Sequence, residues 1–299
     1  MLSTSTWLHL RIPFSFFLMP VYFFALALSP NFNEPRIIWS FVIIHFLLYP
    51  ASNAYNSYFD KDKKSIGGLK NPPPVSKGLY FTALFFDFLA ILLGLKISLL
   101  FSVMLLLYGL ASKAYSHPAV RLKRYPVTGW MVTGFFQGAF TLLMCYEGIN
   151  ALGLGSLLKP QLLWAALLTS LMILGNYPMT QIYQHEEDTK RGDRTLSVLL
   201  GILGTFIFTA LLFLLATAGF FKFFSFYFSI AYALTFVVAL TPVLSYFLWW
   251  LVKVKNDVSM ADYSKTMRLN FISALCLNAF FIYLFLDHSQ VIQALKGGF

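Results

Sequence analysis

Charged residues are scarce in this sequence: Asp, Glu, Lys and Arg together make up only 11% of its 299 residues. Because a soluble globular domain carries about 25% charged residues, this shortage excludes an ordinary soluble domain. Hydrophobic residues make up 58% of the chain, and the mean hydropathy is +0.70. We therefore expect an integral membrane protein without a soluble domain or a low-complexity stretch.

Cysteine and acidic residues are also few. Both cysteines, Cys145 and Cys276, lie in apolar runs, where we expect buried small hydrophobic side chains that indicate no redox compartment. The 12 acidic residues are outnumbered by 22 basic ones, which gives a formal net charge of +10. These basic residues are spread over several loops between apolar runs, a distribution typical of membrane topology, so we do not expect nucleic acid as a partner.

Nine apolar runs are long enough to cross a bilayer, which takes about 20 residues. The predicted spans are 12–29, 36–55, 79–95, 97–115, 127–147, 161–182, 196–220, 224–251 and 268–287. The first run starts beside Arg11 and lacks a small-residue cleavage site, so we expect a span there and no cleavable signal peptide. The sequence predicts one polytopic membrane domain over residues 1–299.

Most basic residues fall in alternate loops between these spans. All but five lie on one side, and the five on the other side are Arg36, Lys96, Lys159, Lys222 and Lys296. Basic residues accumulate in cytoplasmic loops. The sequence therefore predicts a multi-pass protein of the cytoplasmic membrane, with the N-terminus inside and the C-terminus outside.

A polar segment from Asn53 to Gly68, which we call motif one, follows the second apolar run. Asn53, Asn56 and Asp60 share one face if the preceding helix continues through them. Carboxylate and amide oxygens on one face suit Mg²⁺, which prefers oxygen ligands and often shares them with phosphate. A solvated acidic loop is the alternative interpretation of this segment. The proline run at 72–74 predicts a stiff extended link after it.

A second acidic segment, Gln184 to Asp193, follows the sixth run, and we call it motif two. Gln181, Gln184 or His185, and Asp188 repeat at helical spacing, and Gly192 predicts the end of a helix. Asp193 or Thr195 would then cap the seventh span. The two motifs stand four spans apart, which favours two similar four-helix halves around a central cavity, plus a ninth helix.

Two acidic clusters that face one cavity repel each other unless a cation lies between them. A metal-bridged diphosphate satisfies that requirement, because the metal neutralises phosphate oxygens. The loop after the fourth span adds Arg121, Lys123 and Arg124, which suit a diphosphate clamp. Topology and contact with anionic lipid explain these three residues equally well. Asp87 and Glu147 lie in apolar runs and are interpreted as interface residues, and His9, His45, His117 and His288 as interfacial or packed.

Taken together, these segments resemble the UbiA superfamily of intramembrane prenyltransferases over nearly the whole chain. The family's first motif, Asn-x-x-x-Asp-x-x-x-Asp, is matched at Asn56 and Asp60, but Lys64 stands at the third position, with Asp62 the nearest carboxylate. The segment 115–124 is similar to the family's loop between the fourth and fifth helices.

The family's second motif, Asp-x-x-x-Asp-x-x-x-Gly before Thr-Leu, resembles the segment that begins at Gln184. Asp188 and Gly192 match, followed by Thr195-Leu196 and Gly201, whereas Gln184 replaces the first Asp and Glu187 is close by. Each departure exchanges a carboxylate for a neutral or positive group. Two explanations are open: Asp62 and Glu187 replace the missing ligands, or the site binds one metal ion fewer.

The resemblance implies an Mg²⁺-dependent enzyme that ionises an isoprenyl diphosphate and transfers the isoprenyl group to a lipophilic aromatic or quinone-precursor acceptor in the membrane lipid. It implies three sets of residues. The metal ligands are Asn56, Asp60, Asp62, Glu187 and Asp188; the substrate-binding residues are Asn53, Asn56, Tyr115, Arg121, Lys123, Arg124, Gln184 and His185; the catalytic residues are Asp60, Lys123 and Asp188.

Two other functions remain open at this point. On the same scaffold, a terpene cyclase would let the substrate's own double bonds capture the allylic cation. A secondary transporter would need ionisable residues near the membrane midplane. The acidic residues cluster instead at one face, and the only obvious polar groups deep in spans five and six are Gln137, Asn176 and Gln181.

Overall fold

The computed structural model of the protein describes residues 3–289, and within that range nine helical segments are long and apolar enough to cross a membrane. We call them spans 1 to 9. In chain order they are Thr4–Ala27, Glu34–Asp60, Lys77–Gly94, Leu99–Ser116, Pro126–Asn150, Pro160–Thr180, Leu196–Tyr227, Ile230–Asn256 and Tyr263–His288. The prediction of nine spans in an all-helical membrane fold is thereby confirmed. Lys296, which the charge pattern assigns to the outer side, lies outside the described residues.

Several spans are interrupted helices. Span 1 joins helix Thr4–Leu10, 3₁₀ helix Ile12–Leu18 and helix Met19–Ala27. Spans 2 and 5 contain π-helical turns at Ile43–Leu48 and Phe135–Phe140, span 6 ends in a 3₁₀ turn at Tyr177–Thr180, and span 8 breaks between Ala239 and Thr241. Short helices lie between spans at Leu122–Arg124, Leu154–Leu157, His185–Arg191 and Val258–Met260.

The spans form a closed ring in chain order. Each span packs against the next, and span 9 packs against both span 8 and span 1. Spans 1 to 4 and 5 to 8 are therefore two consecutive groups of four helices, with span 9 between their outer ends. Side-chain polar atoms cap several helices: Asn33, Ser98, Thr195 and Asp262 accept the first free backbone N–H groups of spans 2, 4, 7 and 9.

The ring encloses a central cavity of about 590 Å³. Most of its wall is apolar and aromatic, with Phe24, Phe136, Met172, Phe213, Leu244 and Phe247 among the lining residues. The polar lining residues include Asn56, Asp60, Asp62, Lys123, Asp188 and Arg191. Such a cavity suits an amphiphilic ligand that has an apolar chain and a charged head.

Asp87 corrects one prediction. It is not an interface residue but lies in the middle of span 3, with its side chain buried, and it forms an ion pair with Lys113 of span 4. Lys113 belongs to the last turn of helix Leu99–Ser116, within the predicted fourth span. Glu147 does lie near a span end, where it is buried and accepts hydrogen bonds from Ser98 Oγ at 2.7 Å and Gly153 N at 3.0 Å.

The loop after span 2 folds back onto the N-terminal helix. His9 Nε2 lies 2.8 Å from the carbonyl oxygen of Pro73, and Ser5 Oγ donates to the carbonyl oxygen of Pro74 at 2.6 Å. Residues 72–76 have no regular secondary structure, as the proline run predicts. His9 and His45 are both buried, in agreement with their predicted packed state.

Candidate functional site

The first part of motif one, Asn53 to Asp60, lies on a continuous helix. Helix Tyr49–Asp60 extends span 2 through Asn53, Asn56 and Asp60, and all three line the central cavity, as their spacing predicts. Asn56 Nδ2 donates to Ser116 Oγ at 3.0 Å, which holds the amide at the end of span 4.

Motif two lies on an interrupted helix, and the predicted helical spacing from Gln181 to Asp188 is wrong. The helix of span 6 changes to a 3₁₀ turn at Tyr177, and a new short helix begins only at His185. Pro178 explains the break, because proline has no backbone N–H with which to continue the helical hydrogen bonds.

The predicted end of motif two is confirmed. Gly192 terminates the short helix with φ of +79°, a left-handed conformation that glycine adopts without steric cost. Of the two cap candidates, Thr195 accepts from the backbone N–H of Val198 and caps span 7. Asp193 instead contacts Arg121, whose Nε and Nη2 donate to its two carboxylate oxygens at 2.7 and 2.8 Å.

Asp60 lies between two cations of the loop after span 4. Its Oδ2 is paired with Lys123 Nζ, and its Oδ1 lies 3.4 Å from Arg121 Nη2. The side chains of Asp60 and Lys123 are only 4% and 8% exposed. Since charged groups this deeply buried require partners, the three side chains join motif one to the loop that was predicted to clamp a diphosphate.

Arg191 joins the two motifs. Its Nη1 donates to Asp62 Oδ1 at 2.5 Å, its Nη2 to Asp188 Oδ1 at 2.9 Å, and its Nε to Asp193 Oδ2 at 3.0 Å. Arg191, Asp62 and Asp188 all line the central cavity. The acidic residues of the two motifs are thus brought together, as predicted, but a protein cation lies between them.

The electrostatics of the site follow from burial and pairing. Burial raises the pKa of Asp188 to about 6, although Arg191 and Lys123 oppose the shift, and burial together with Asp60 raises the pKa of Asp62. At Asp193 burial acts in the same direction, but hydrogen bonding to Arg121 and the nearby cations outweigh it and lower the pKa. The site therefore holds Asp193 firmly ionised, whereas Asp188 titrates close to neutral pH.

Glu187 lies away from the cavity and holds two loops together. Its Oε1 accepts from the backbone N–H groups of Lys63 and Lys64 at 3.2 and 3.0 Å. The two residues that depart from the expected carboxylate pattern act in the same way: Lys64 pairs with Glu186, and Gln184 Nε2 donates to the carbonyl oxygen of Ser65 at 3.3 Å. These contacts fasten the part of motif one that follows span 2 to the helix of motif two.

Tyr115 lies in the cavity wall, where its hydroxyl contacts that of Tyr177. Gln184 also lines the cavity, but three predicted substrate-binding residues, Arg121, Arg124 and His185, do not. His185 lies 2.7 Å from Ser197 Oγ, and the exposed Arg124 packs over the ring of Tyr125 at 4.7 Å. Their roles in binding substrate stay predictions.

The carboxylates fit a divalent cation that shares its coordination with phosphate. Among residues 3–289, no three His, Cys, Asp or Glu side chains are grouped closely enough to hold a metal ion alone. However, the described residues give no hydrogen bond to Oδ2 of Asp62 or to Oδ2 of Asp188. Mg²⁺ is commonly held by one or two carboxylates, waters and substrate phosphates, so this donor set suits it without a complete protein cage.

Two site residues escaped the sequence analysis, which counted them only as topological charges. Arg191 follows Asp188 by three residues on one helix, a spacing that puts opposite charges in contact and could have indicated its role. Arg11 is buried in the cavity wall, and its guanidinium donates to the carbonyl oxygens of Gly67 and Asn53 at 3.0 and 3.2 Å. It thereby holds the part of motif one that follows span 2 against that span.

Comparisons with known proteins agree with this architecture. The family model described as the UbiA prenyltransferase family matches residues 17–275. A UbiA homologue from Archaeoglobus fulgidus, solved with GPP and Mg²⁺, shares 16% identity with a TM-score of 0.65, over 94% of this chain and 99% of its own. A comparison with curated protein sequences finds no relative of this chain.

Two further solved structures are similar. The apo UbiA homologue from Aeropyrum pernix K1 shares 17% identity with a TM-score of 0.69, over 91% of this chain and 98% of its own. A digeranylgeranylglyceryl phosphate synthase shares 17% identity with a TM-score of 0.60, over 94% and 98% of the two chains. Identities this low show the shared fold.

Proposed function

This chain belongs to the UbiA prenyltransferase family, and from that premise we propose that it transfers an isoprenyl group from an isoprenyl diphosphate to a lipophilic aromatic or quinone-precursor acceptor inside the membrane. The observation that carries this proposal is the group of carboxylates and cations, built from Asp60, Asp62, Lys123, Asp188 and Arg191, that opens into an apolar cavity. Solved relatives with this fold hold GPP or DMAPP together with Mg²⁺.

The polar end of the cavity would bind the diphosphate. Lys123 and Arg121 lie beside Asp60 and provide ammonium and guanidinium donors for phosphate oxygens. Asp60, Asp188 and Lys123 are the proposed catalytic residues: the positive charge of Lys123 would stabilise the departing diphosphate, and the two carboxylates would hold the metal ion that supplies further positive charge there.

The residues proposed to hold Mg²⁺ are Asn56, Asp60, Asp62, Asp188 and, from outside the lining, Glu187. When bound, the metal ion supplies positive charge that neutralises the phosphate oxygens. Asn56 and Asp60 lie on the rigid end of span 2, whereas Asp62 and Asp188 are held by Arg191.

The apolar part of the cavity would hold the isoprenyl chain and keep water from the allylic cation. Aromatic rings attract cations through their faces, and Phe136, Phe213 and Phe247 line this part of the wall, with Tyr115 and Tyr177 in the same cavity. Loss of the cation to water would otherwise compete with attack by the acceptor.

The membrane orientation is part of the proposal. We place the N-terminus and the loops of both motifs in the cytoplasm, and the C-terminus on the opposite side. Single-cysteine variants at the exposed Glu186 and Lys159 would test it, since a membrane-impermeant maleimide should label Glu186→Cys only when the cytoplasmic face is accessible. Labelling of Glu186→Cys from the outer face would contradict the orientation.

The deciding experiment measures diphosphate release by the purified protein from geranyl, farnesyl and geranylgeranyl diphosphate, with and without Mg²⁺. We expect Mg²⁺-dependent release that Asp60→Ala and Asp188→Ala abolish and that Glu186→Ala, an exposed acidic residue on the same helix as Asp188, retains. The mass of the product separates transfer to an added acceptor from cyclisation of the donor. Absence of both Mg²⁺-dependent release and donor-analogue binding would overturn the proposal.

A further inference from the structure

Arg191 lies where the carboxylates of the two motifs meet. A single guanidinium contacts Asp62, Asp188 and Asp193, and its Nη1 also donates to the carbonyl oxygen of Asp60 at 3.3 Å. Its side chain is 22% exposed and lines the central cavity. It therefore occupies the junction of the two motifs while one side faces the space open to a ligand.

Protein cations already neutralise most of the charge at this junction, where four carboxylates face three cations. Asp60 is paired with Lys123, Asp193 with Arg121, and Asp62 and Asp188 with Arg191. A second divalent cation would have to take the place of the guanidinium between Asp62 and Asp188 and would leave it beside a double positive charge. At short range in a partly buried site, like charges repel each other strongly because little water screens them.

The chain also has fewer carboxylates than two metal ions would use. Lys64 and Gln184 occupy motif positions where a carboxylate was expected from the resemblance: Lys64 pairs with Glu186, and Gln184, which lines the cavity, supplies an amide that donates to the carbonyl oxygen of Ser65. Glu187, the nearest replacement, accepts from backbone N–H groups with Oε1, and its unpartnered Oε2 is buried outside the cavity lining. The residues that remain, Asp62 and Asp188, present one unpartnered oxygen each.

We propose that Arg191 is a diphosphate-binding residue that replaces one divalent cation, so that this protein binds an isoprenyl diphosphate with a single Mg²⁺. The inference rests on the proposed function. A guanidinium presents a planar fork of donors that matches two phosphate oxygens, and it keeps its charge at every physiological pH. Arg191 thus neutralises the diphosphate as a fixed charge, while the cation shares the Oδ2 oxygens of Asp62 and Asp188 that Arg191 leaves accessible.

The test counts metal ions. Full-length protein in detergent is saturated with geranyl S-thiolodiphosphate, a donor analogue that resists ionisation, and Mn²⁺ bound per protein is measured from the EPR signal of free Mn²⁺. We expect one bound Mn²⁺ per protein. Two Mn²⁺ ions per bound analogue in the wild type would overturn the proposal, and this result does not depend on any variant.

Arg191→Gln sharpens the test. Because hydrogen bonds to charged groups contribute about 1.5–3 kcal/mol, we expect the analogue to bind roughly tenfold or more weakly at low Mn²⁺. At high Mn²⁺ a second ion should enter and restore part of the affinity. Lys190→Gln is the matched control: it removes an exposed cation from the neighbouring position and should change neither quantity.

Other results of these measurements would also overturn the role of Arg191 or the proposed function. Unchanged analogue affinity and one bound Mn²⁺ in Arg191→Gln would overturn the role of Arg191. If that variant does not fold, Arg191→Lys keeps the charge but loses the fork, and it should retain one Mn²⁺ with weaker analogue binding; unweakened binding would overturn the bidentate role. A wild type that binds no analogue at any Mn²⁺ concentration would instead overturn the proposed function itself, and with it this inference.

Discussion

Two buried groups of ion pairs in this protein are made of the same residue types but differ in what they face. Asp87 and Lys113 pair between spans 3 and 4, where Lys113 Nζ also lies 5.1 Å from the ring of Tyr55, and neither lines the central cavity. Asp60 and Lys123 pair at the cavity, and both line it. Burial and pairing alone therefore do not identify a functional site; access to a ligand-sized space does.

The largest effect is expected when the ion pair that faces the cavity is broken. Lys123→Met removes the cation beside Asp60, and we expect turnover to fall by about 10²–10³-fold, since a preorganised charge at the leaving group is lost. Diphosphate release per folded protein measures this change. The comparison fails if Lys113→Met, which removes the cation of the other pair, lowers turnover of the folded protein to the same extent.

The second prediction concerns the ion pair of Asp87 and Lys113, between spans 3 and 4. Lys113→Met leaves the buried carboxyl of Asp87 without its partner, which typically costs about 3–5 kcal/mol of stability, so we expect a lower Tm in detergent with unchanged affinity for the donor analogue. The double variant Asp87→Asn with Lys113→Met should recover part of the lost Tm. No recovery would mean that Lys113 contributes through packing and not through its charge.

The third prediction uses the titration of the site. The pKa of Asp188 is raised by burial to about 6, so below that pH the carboxyl becomes neutral. We expect Mg²⁺-dependent analogue binding to weaken by about tenfold per pH unit below pH 6. Because a raised carboxyl pKa favours the folded state at low pH, the same group should make the metal-free protein more stable as the pH falls from 7 to 5.

Two variants check that assignment. Asp188→Asn removes the titrating group, so analogue binding should be weak and should lose this pH dependence. Asp257→Asn, which alters an exposed carboxyl in the loop before span 9, should keep the wild-type profile. A wild-type profile that is flat from pH 5 to 8 would contradict the role of Asp188.

The smallest effect is expected at the exposed pairs. Glu186 pairs with Lys64 and Lys190, and all three side chains are more than half exposed. Exposed pairs contribute little because water and salt screen them, so Glu186→Gln should change analogue affinity less than about twofold. A tenfold change in the same binding assay would show that the site needs this contact to hold the part of motif one that follows span 2 in place.

The two motifs differ in how well helical spacing in the sequence predicts their structure. Motif one continues a helix, so the spacing of Asn53, Asn56 and Asp60 correctly predicts their common face. Motif two follows Pro178, where the chain leaves the helix, and the same reasoning fails between Gln181 and Asp188. The proline was visible in the sequence, but its consequence for the register of motif two depends on how the chain turns back at the membrane surface.

Hydropathy and composition by themselves determined the membrane fold, the nine spans and the segments that carry the site, because each follows from the transfer of local runs of side chains into lipid. The tertiary structure alone decided which charges meet. Arg191 and Asp62 are 129 residues apart in the chain, and Lys113 and Asp87 are 26 apart in neighbouring spans. In each case the cost of burying a charge selects the partner, and that partner depends on how the helices pack into a ring.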